Sequence, residues 1–169
     1  MGMSAHVRRL RDAIGSELII LPSVSGIVFD DRDRILLVRH RDGDVWSVPG
    51  GGVDPEELPA DALVREMWEE CGLITKPVRI LGVFGGPRCT VRYGNGDASN
   101  YVITIFECEV TGGTLVADSD ETCDAAYVGR DELTRYHLSP WLEPVLPGLY
   151  DRGRTGWFAP PEWKPPGAF

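Results

Sequence analysis

Residues 51–73 of this chain read GGVDPEELPADALVREMWEECGL, and this stretch has the clearest pattern in the sequence. It opens with a glycine cluster, which predicts a turn, and a helical pattern follows over residues 58–71. Pro59 in the first turn and Gly72 after the last turn are typical of a helix start and a helix end. The apolar residues of the pattern recur at spacings of three and four and form one stripe: Ala60, Leu63, Val64, Met67 and Cys71.

Three carboxylates lie on the opposite face of this predicted helix. At 100° per residue, Glu66, Glu69 and Glu70 fall within an arc of roughly 100°. They form either a solvated acidic face or a site for a hard divalent cation, because carboxylate oxygens suit Mg²⁺ or Mn²⁺. Helix stability alone does not favour the cluster, since the helix dipole disfavours anions in the last turn. Arg65 and Glu57 frame it, as an orienting ion pair or as an ordinary surface pair that contributes little.

The fixed residues of this stretch resemble the signature of the Nudix hydrolases. That signature reads Gly-x5-Glu-x7-Arg-Glu-U-x-Glu-Glu-x-Gly-U, where U is a bulky apolar residue. Glu56 departs from the family's common glycine, but it does not occupy a fixed position. Every fixed position matches: Gly51, Glu57, Arg65, Glu66, Met67, Glu69, Glu70, Gly72 and Leu73.

The resemblance extends from about residue 18 to about residue 146, and it implies an α/β fold, an α/β/α sandwich around a mixed β-sheet. It further implies Mg²⁺-dependent hydrolysis, with Mn²⁺ as a possible substitute, of a pyrophosphate bond in a nucleoside diphosphate linked to another moiety. ADP-ribose, a nucleotide sugar and CDP-choline are candidate substrates, and residues 81–97 are similar to the ADP-ribose pyrophosphatase-like branch. The implied metal ligands are Glu66, Glu69, Glu70 and the Gly51 carbonyl, with Arg65 and Glu57 in the orienting role.

Other functions stay open on the sequence. The same chemistry could act on nucleoside triphosphates as a house-cleaning reaction, or on the 5′ end of RNA. A formal net charge of −9 argues against the RNA substrate and against an anionic membrane surface. A nucleotide sensor without turnover is a third hypothesis, which the complete signature disfavours.

The general base and the substrate contacts are less well defined. By resemblance, Glu121 occupies the place of a glutamate outside the signature that serves as the base, and the alternative is an exposed loop acid. An arginine can bind a phosphate through two hydrogen bonds, and a tryptophan can stack on a base, although most such residues are merely solvated or packed. The candidates are Arg39, Arg41, Arg88, Arg92 and Trp46, together with Tyr101 as a second aromatic residue that could stack on a base.

The chain of 169 residues has the length of one domain, and 43% of its residues are hydrophobic. We expect a cytoplasmic protein, because no signal peptide or membrane span is evident and the four cysteines form no zinc or disulfide pattern. Homodimers are common in the family, so a homodimer is an expectation by analogy.

The remaining segments predict an N-terminal helix, then strands and short helices. We expect the helix within residues 1–17, the catalytic domain over 18–146, and a tail over 147–169 that packs on the body or on a partner subunit because it is rich in proline and aromatic residues. Strands are predicted at 18–29 and 35–40, paired as a hairpin, and at 45–48, 77–84 and 125–128. A second hairpin surrounds Asn95-Gly96, between strands 90–93 and 101–110. Short helices are predicted at 131–136 and 140–145.

Overall fold

The computed structural model describes residues 3–41, 44–117, 122–153 and 156–160. Its helices are α1 (Ala5–Ile14), α2 (Pro59–Cys71) and α3 (Leu146–Leu149), with 3-10 turns at Pro87–Cys89 and Arg130–Arg135. Its strands are β1 (Ile19–Val28), β2 (Ile35–His40), β3 (Trp46–Ser47), β4 (Gly50–Gly52), β5 (Leu73–Phe84), β6 (Thr90–Arg92), β7 (Ala98–Gly113) and β8 (Thr122–Val128).

The strands form two sheets. The larger sheet has the order β4-β1-β7-β5, and the smaller has the order β3-β2-β8. The short strand β6 pairs with the first three residues of β7. β1 and β7 run parallel, with Ile19 opposite Ser99, whereas the other pairs are antiparallel. The larger sheet is therefore mixed, as predicted.

Two apolar layers lie on opposite sides of the strands. Along β2, Leu36 and Val38 face the layer that contains the apolar side of α2, while Ile35 and Leu37 face the layer that contains Leu142 and other C-terminal residues. This alternation follows the two-residue period of a strand. Helical segments thus cover both sides, which confirms the α/β/α arrangement.

Helix α2 confirms the interpretation of residues 58–71. Leu58 is its N-cap, Pro59 is its first residue, and Gly72 ends it at φ 65° with its N–H donated to the carbonyl oxygens of Met67 and Trp68. The stripe was only partly right, because Ala60 and Val64 are half-buried whereas Ala62 is fully buried.

Two predicted features of the fold are wrong. β1 and β2 do not form a hairpin, because β1 pairs with β4 and β7 while β2 pairs with β3 and β8. Only one isolated bridge, between Phe29 and Ile35, spans the turn. Residues 140–145 form hydrogen-bonded turns rather than a helix, and the helix begins later, at Leu146.

The described part of the C-terminal segment packs against β5. The Trp157 N–H donates to Leu81 O at 2.8 Å, and the Trp157 ring stacks on Phe84 with centroids 5.1 Å apart. Arg152 donates to the buried carboxylate of Glu107 at 3.1 Å. Trp163 and Phe169 lie outside the described residues, and the proposed division of the chain at residues 17 and 146 stays a prediction.

In the described ranges, no helix is long and apolar enough to span a membrane. The four cysteines are free thiols. Burial raises the pKa of Cys71 above its ordinary value and raises that of Cys108 to about 12. These two thiols are therefore protonated and unreactive at neutral pH.

Candidate active site

The glycine loop is held against β1 by close backbone contact. β4 pairs antiparallel with β1, and Gly50 lies opposite Ser25. Gly50 has φ 151°, and a Cβ at this position would lie 2.2 Å from the carbonyl oxygen of Val24. Only glycine allows this approach, which fixes the path of the chain into α2.

Arg65 donates hydrogen bonds to three carboxylates of the acidic cluster. Its guanidinium donates to Glu57 through Nε at 2.9 Å and through Nη2 at 3.0 Å. Nη1 donates to Glu66 at 2.7 Å and to Glu69 at 3.1 Å. Nη2 also donates to the carbonyl oxygen of Gly52 at 3.0 Å, so that one side chain connects the loop with three carboxylates.

These contacts perturb the pKa values of both partners. The hydrogen bond from Arg65 lowers the pKa of Glu57, and the same bond raises the pKa of Arg65 above its ordinary value. Both groups are therefore charged at neutral pH. Their geometry agrees with the orienting role that the resemblance implies.

The three glutamates of α2 differ sharply in burial. Glu66 is 3% exposed and Glu70 is 0% exposed, while the side chain of Glu69 is 52% exposed. A solvated acidic face would leave all three in water, so the burial of Glu66 and Glu70 argues against that interpretation. Carboxylates are almost never buried to this extent unless they are paired or bind a cation.

Glu70 ties the end of α2 to the glycine loop and to the smaller sheet. Its Oε2 accepts the Gly50 N–H at 2.8 Å, and its Oε1 lies 3.7 Å from Nδ1 of His40. Its backbone carbonyl accepts the buried hydroxyl of Thr122 at 2.9 Å. The carbonyl of Gly51 is fixed separately, because it accepts the hydroxyl of Ser23 at 2.8 Å.

The donor set fits a hard divalent cation. Glu57, Glu66 and Glu69 place three carboxylates around the single guanidinium of Arg65, which leaves an excess of negative charge. Among the described residues, no three acidic, histidine or cysteine side chains form a preassembled metal-binding group. Mg²⁺ uses few protein ligands and keeps several waters, so it suits such an open set.

A cleft of about 1040 Å³ opens in front of this cluster. α2 contributes Arg65, Glu66 and Glu69 to one side, and the preceding loop adds residues 52–55. We define two further walls. The α1 wall consists of Met3, Ser4, His6, Val7 and Arg11. The hairpin wall consists of Val91, Arg92, Tyr93, Gly94, Asn95, Asp97, Ser99 and Tyr101.

The structure separates the six substrate candidates. Tyr101 lies in the cleft lining. Arg92 lines the cleft together with the cluster. In the described part of the chain, the other four lie away from the cleft lining. Arg39 contacts Asp44 and Asp124 at 3.4 Å each and lies over the Trp46 ring, which packs edge-on against Tyr136. Arg41 and Arg88 are exposed.

Several cleft residues were not singled out from the sequence as site residues. His6 has no catalytic neighbour in the sequence, and Arg11 carries no signal, because it is one of three arginines in an amphipathic helix. Tyr93 stands next to Arg92 before the Asn-Gly turn, so the predicted hairpin could have indicated it. Glu121 lies outside the described residues, and its role as base stays a prediction.

Glu56 keeps the backbone that a glycine would favour. Its φ is 70°, in the left-handed region, and its side chain is exposed in the turn before α2. The departure from the family's glycine therefore leaves the turn intact at a local cost of about 1 kcal/mol.

Comparison with known proteins also indicates the Nudix family. The model of the NUDIX domain matches residues 20–149. A "MutT-like protein" of Streptomyces ambofaciens is 30% identical over 131 residues, which cover 78% of each chain. A "Putative 8-oxo-dGTP diphosphatase" of Bacillus subtilis (strain 168) is 34% identical over 107 residues, which cover 63% of this chain and 65% of that protein.

A solved structure described as a UDP-X diphosphatase has a similar fold. Its TM-score is 0.67 at 23% identity, and the match covers 89% of this chain and 72% of that chain. Members of the Nudix family generally use a divalent metal such as Mg²⁺. The chain belongs to the Nudix family and is a hydrolase that acts on pyrophosphate bonds.

Proposed function

We propose that this enzyme hydrolyses the pyrophosphate bond of a nucleoside diphosphate linked to another moiety, in a Mg²⁺-dependent reaction. The observation that carries the proposal is the position of Arg65, Glu66 and Glu69 on one side of a cleft of about 1040 Å³. Small-molecule sites commonly measure about 300–1000 Å³, so this cleft has room for groups on both sides of a diphosphate. ADP-ribose, nucleotide sugars and CDP-choline have this form.

Glu66, Glu69 and Glu70 would hold the ion, together with the Gly51 carbonyl. When bound, Mg²⁺ would neutralise charge on the phosphate oxygens and lower the pKa of a bound water. Arg65 and Ser23 fix these donors in place. Arg65 orients the carboxylates of Glu66 and Glu69 through bonds of 2.7 and 3.1 Å, and the hydroxyl of Ser23 holds the Gly51 carbonyl.

Two further roles complete the proposal. Glu121 would accept the proton of the attacking water. Arg92, which belongs to the hairpin wall, would bind a phosphate oxygen of the substrate. Arg88 offers a matched control for Arg92, since it is an exposed arginine that does not line the cleft. We expect Arg92→Ala to raise KM about tenfold, the value of one charged hydrogen bond, and Arg88→Ala to leave KM unchanged.

The test is hydrolysis over a substrate panel with Mg²⁺ and with excess chelator. The panel contains ADP-ribose, UDP-glucose, CDP-choline, normal and oxidised nucleoside triphosphates, and triphosphorylated RNA. We expect the largest kcat/KM on a diphosphate derivative, with a nucleoside monophosphate among the products and no turnover under chelation. Equal or greater activity on the triphosphates would contradict the substrate class.

Nucleoside triphosphates are the second candidate. The relative from Bacillus subtilis carries the name of a putative 8-oxo-dGTP diphosphatase, and its identity of 34% extends over 107 residues. The same carboxylate face would serve this reaction, because its bond is also a pyrophosphate bond. Inorganic pyrophosphate as the product, released faster from the oxidised nucleotide than from the normal one, would favour this candidate.

A further inference from the structure

Helix α1 lies outside the matched NUDIX domain, yet it forms one wall of the cleft. The domain match begins at residue 20, whereas the α1 wall consists of residues from Met3 to Arg11. No α1 residue belongs to the buried core. Val7 and Leu10 are only half-buried, so packing in the buried core does not by itself fix the position of the helix.

The side chain of Arg11 holds the helix there. Arg11 Nη2 donates to the Ala98 carbonyl at 2.7 Å and to the Ser99 hydroxyl at 3.0 Å. Nη1 donates to the carbonyl oxygens of Gly15 and Glu17 at 3.2 and 2.6 Å. The Arg11 side chain is only 8% exposed, and its Nε lies 3.7 Å from Asp97. These bonds join α1 directly to the start of β7, where the hairpin wall ends.

The walls that Arg11 joins differ in chemistry from the α2 side. Tyr93 and Tyr101 share a hydrogen bond of 2.6 Å between their hydroxyls, and Tyr101 lies opposite Leu21 in the parallel β1–β7 pair. Val7 and Val91 add apolar surface. The α2 side of the cleft instead carries the carboxylates.

The charged residues of the cleft also differ between the α1 and hairpin walls and the α2 side. The α1 and hairpin walls contain two arginines, Arg11 and Arg92, against one carboxylate, Asp97. On the other side, Asp54, Glu66 and Glu69 outnumber Arg65. An acidic side attracts a metal and its phosphates, whereas aromatic rings with hydroxyls suit a flat base and a ribose.

We infer that the α1 and hairpin walls together bind the nucleoside of the substrate, and that Arg11 is a positioning residue that holds α1 over it. This inference rests on the proposed function, because it assigns the part of the substrate that does not react. Helix α1 would then determine which nucleotides the enzyme accepts, through an element that precedes the family domain.

The first test is independent of turnover. The protein has a mass of 18.6 kDa, which allows amide NMR spectra to be recorded during titration with AMP, UMP and CMP. Ribose 5-phosphate, which lacks the base, is the control ligand. We expect at least one nucleotide to shift the amides of residues 4–11 and 91–101, and to bind about ten times more tightly than ribose 5-phosphate, as stacking on an aromatic ring implies. Shifts confined to residues 51–70 would overturn the inference.

The second test separates positioning from folding. Arg11→Ala removes the bonds to β7, and Arg11→Lys keeps the charge but not the two-point contact. Arg9→Ala is the matched control, because Arg9 is exposed on the same helix and does not line the cleft. For Arg11→Ala we expect KM to rise about tenfold with kcat within about twofold, partial recovery in Arg11→Lys, and no change in Arg9→Ala.

A further variant tests the inference even if Arg11→Ala does not fold. Tyr93 is 41% exposed, so Tyr93→Ala leaves the core unchanged, and we expect it to weaken nucleotide binding about tenfold. If the wild type turns over the panel but Arg11→Ala and Tyr93→Ala behave like Arg9→Ala, the inference is wrong and the proposed function stands. If the wild type turns over nothing, the proposed function fails, and the NMR titration alone decides whether the walls bind nucleotides.

Discussion

At the scale of single residues, Arg65 carries the largest share of the site's organisation. It bonds to three carboxylates and to the Gly52 carbonyl, and Glu66 is almost fully buried beside it. Arg65→Ala removes a charged donor from a buried carboxylate, so we expect the free energy of unfolding to fall by about 2 kcal/mol. Urea denaturation would measure this loss.

The control for that measurement is Arg135→Ala. Arg135 is largely exposed and forms an ion pair with Glu132 at 3.4 Å, so its removal should cost no more than about 0.5 kcal/mol. Equal losses in the two variants would show that the bonds of Arg65 contribute no more than a surface pair.

Glu57 gives a prediction about pH. The hydrogen bond from Arg65 lowers its pKa in the folded state below the ordinary value of 4.5. The resulting stabilisation is complete above pH 4.5 and is lost as the pH falls through the lowered pKa. The difference in unfolding free energy between wild type and Glu57→Gln should therefore be larger at pH 7 than at pH 3. A difference that stays constant with pH would contradict the ion pair.

The carboxylate roles could be predicted only in part from the sequence. The residue types and their spacing indicated Glu66, Glu69 and Glu70 as one cluster. The different burial of the three could not be predicted, because it depends on Gly50 and His40, which contact Glu70 from other elements.

At the scale of elements, the glycine loop depends on one close backbone approach. A methyl group at Gly50 would lie 2.2 Å from Val24 O at a φ that L residues rarely adopt. We expect Gly50→Ala to separate β4 from β1 and to lower the free energy of unfolding by more than about 3 kcal/mol. Gly52→Ala is the control, since a Cβ there meets nothing within 4 Å, and its effect should stay below about 1 kcal/mol. Similar denaturation midpoints for the two variants would contradict the loop geometry.

The ends of helices and the positions of turns were predicted more accurately than the pairing of strands. The ends of α2 follow from Pro59 and Gly72, and the β6–β7 turn follows from Asn95-Gly96, with Gly96 at φ 93°. The pairing of β1 with β7 joins residues about 80 positions apart, and no local pattern encodes it. For that reason the short turn between β1 and β2 was misread as a hairpin.

At the scale of the whole molecule, the C-terminal segment covers residues 81–83 of β5, the edge strand of the larger sheet. Trp157 bridges to Gly82 and stacks on Phe84, so it covers an edge strand that would otherwise be open. We expect Trp157→Ala to lower the free energy of unfolding by about 2 kcal/mol and to leave activity unchanged, because the residue lies away from the cleft. Phe158→Ala, which alters a ring that is 70% exposed, should change neither. Equal stability of the two variants would contradict this role of the segment.

The most direct test of the account is the rate of Mg²⁺-dependent hydrolysis in three proteins: wild type, Glu69→Gln and Glu109→Gln. Glu69 lines the cleft, whereas Glu109 is an exposed glutamate on β7 that does not. We expect Glu69→Gln to lower kcat about 100-fold on the best substrate, a loss of about 2.7 kcal/mol of transition-state stabilisation, and Glu109→Gln to retain full activity. Equal activity in Glu69→Gln and Glu109→Gln would contradict the placement of catalysis on the carboxylate face of α2.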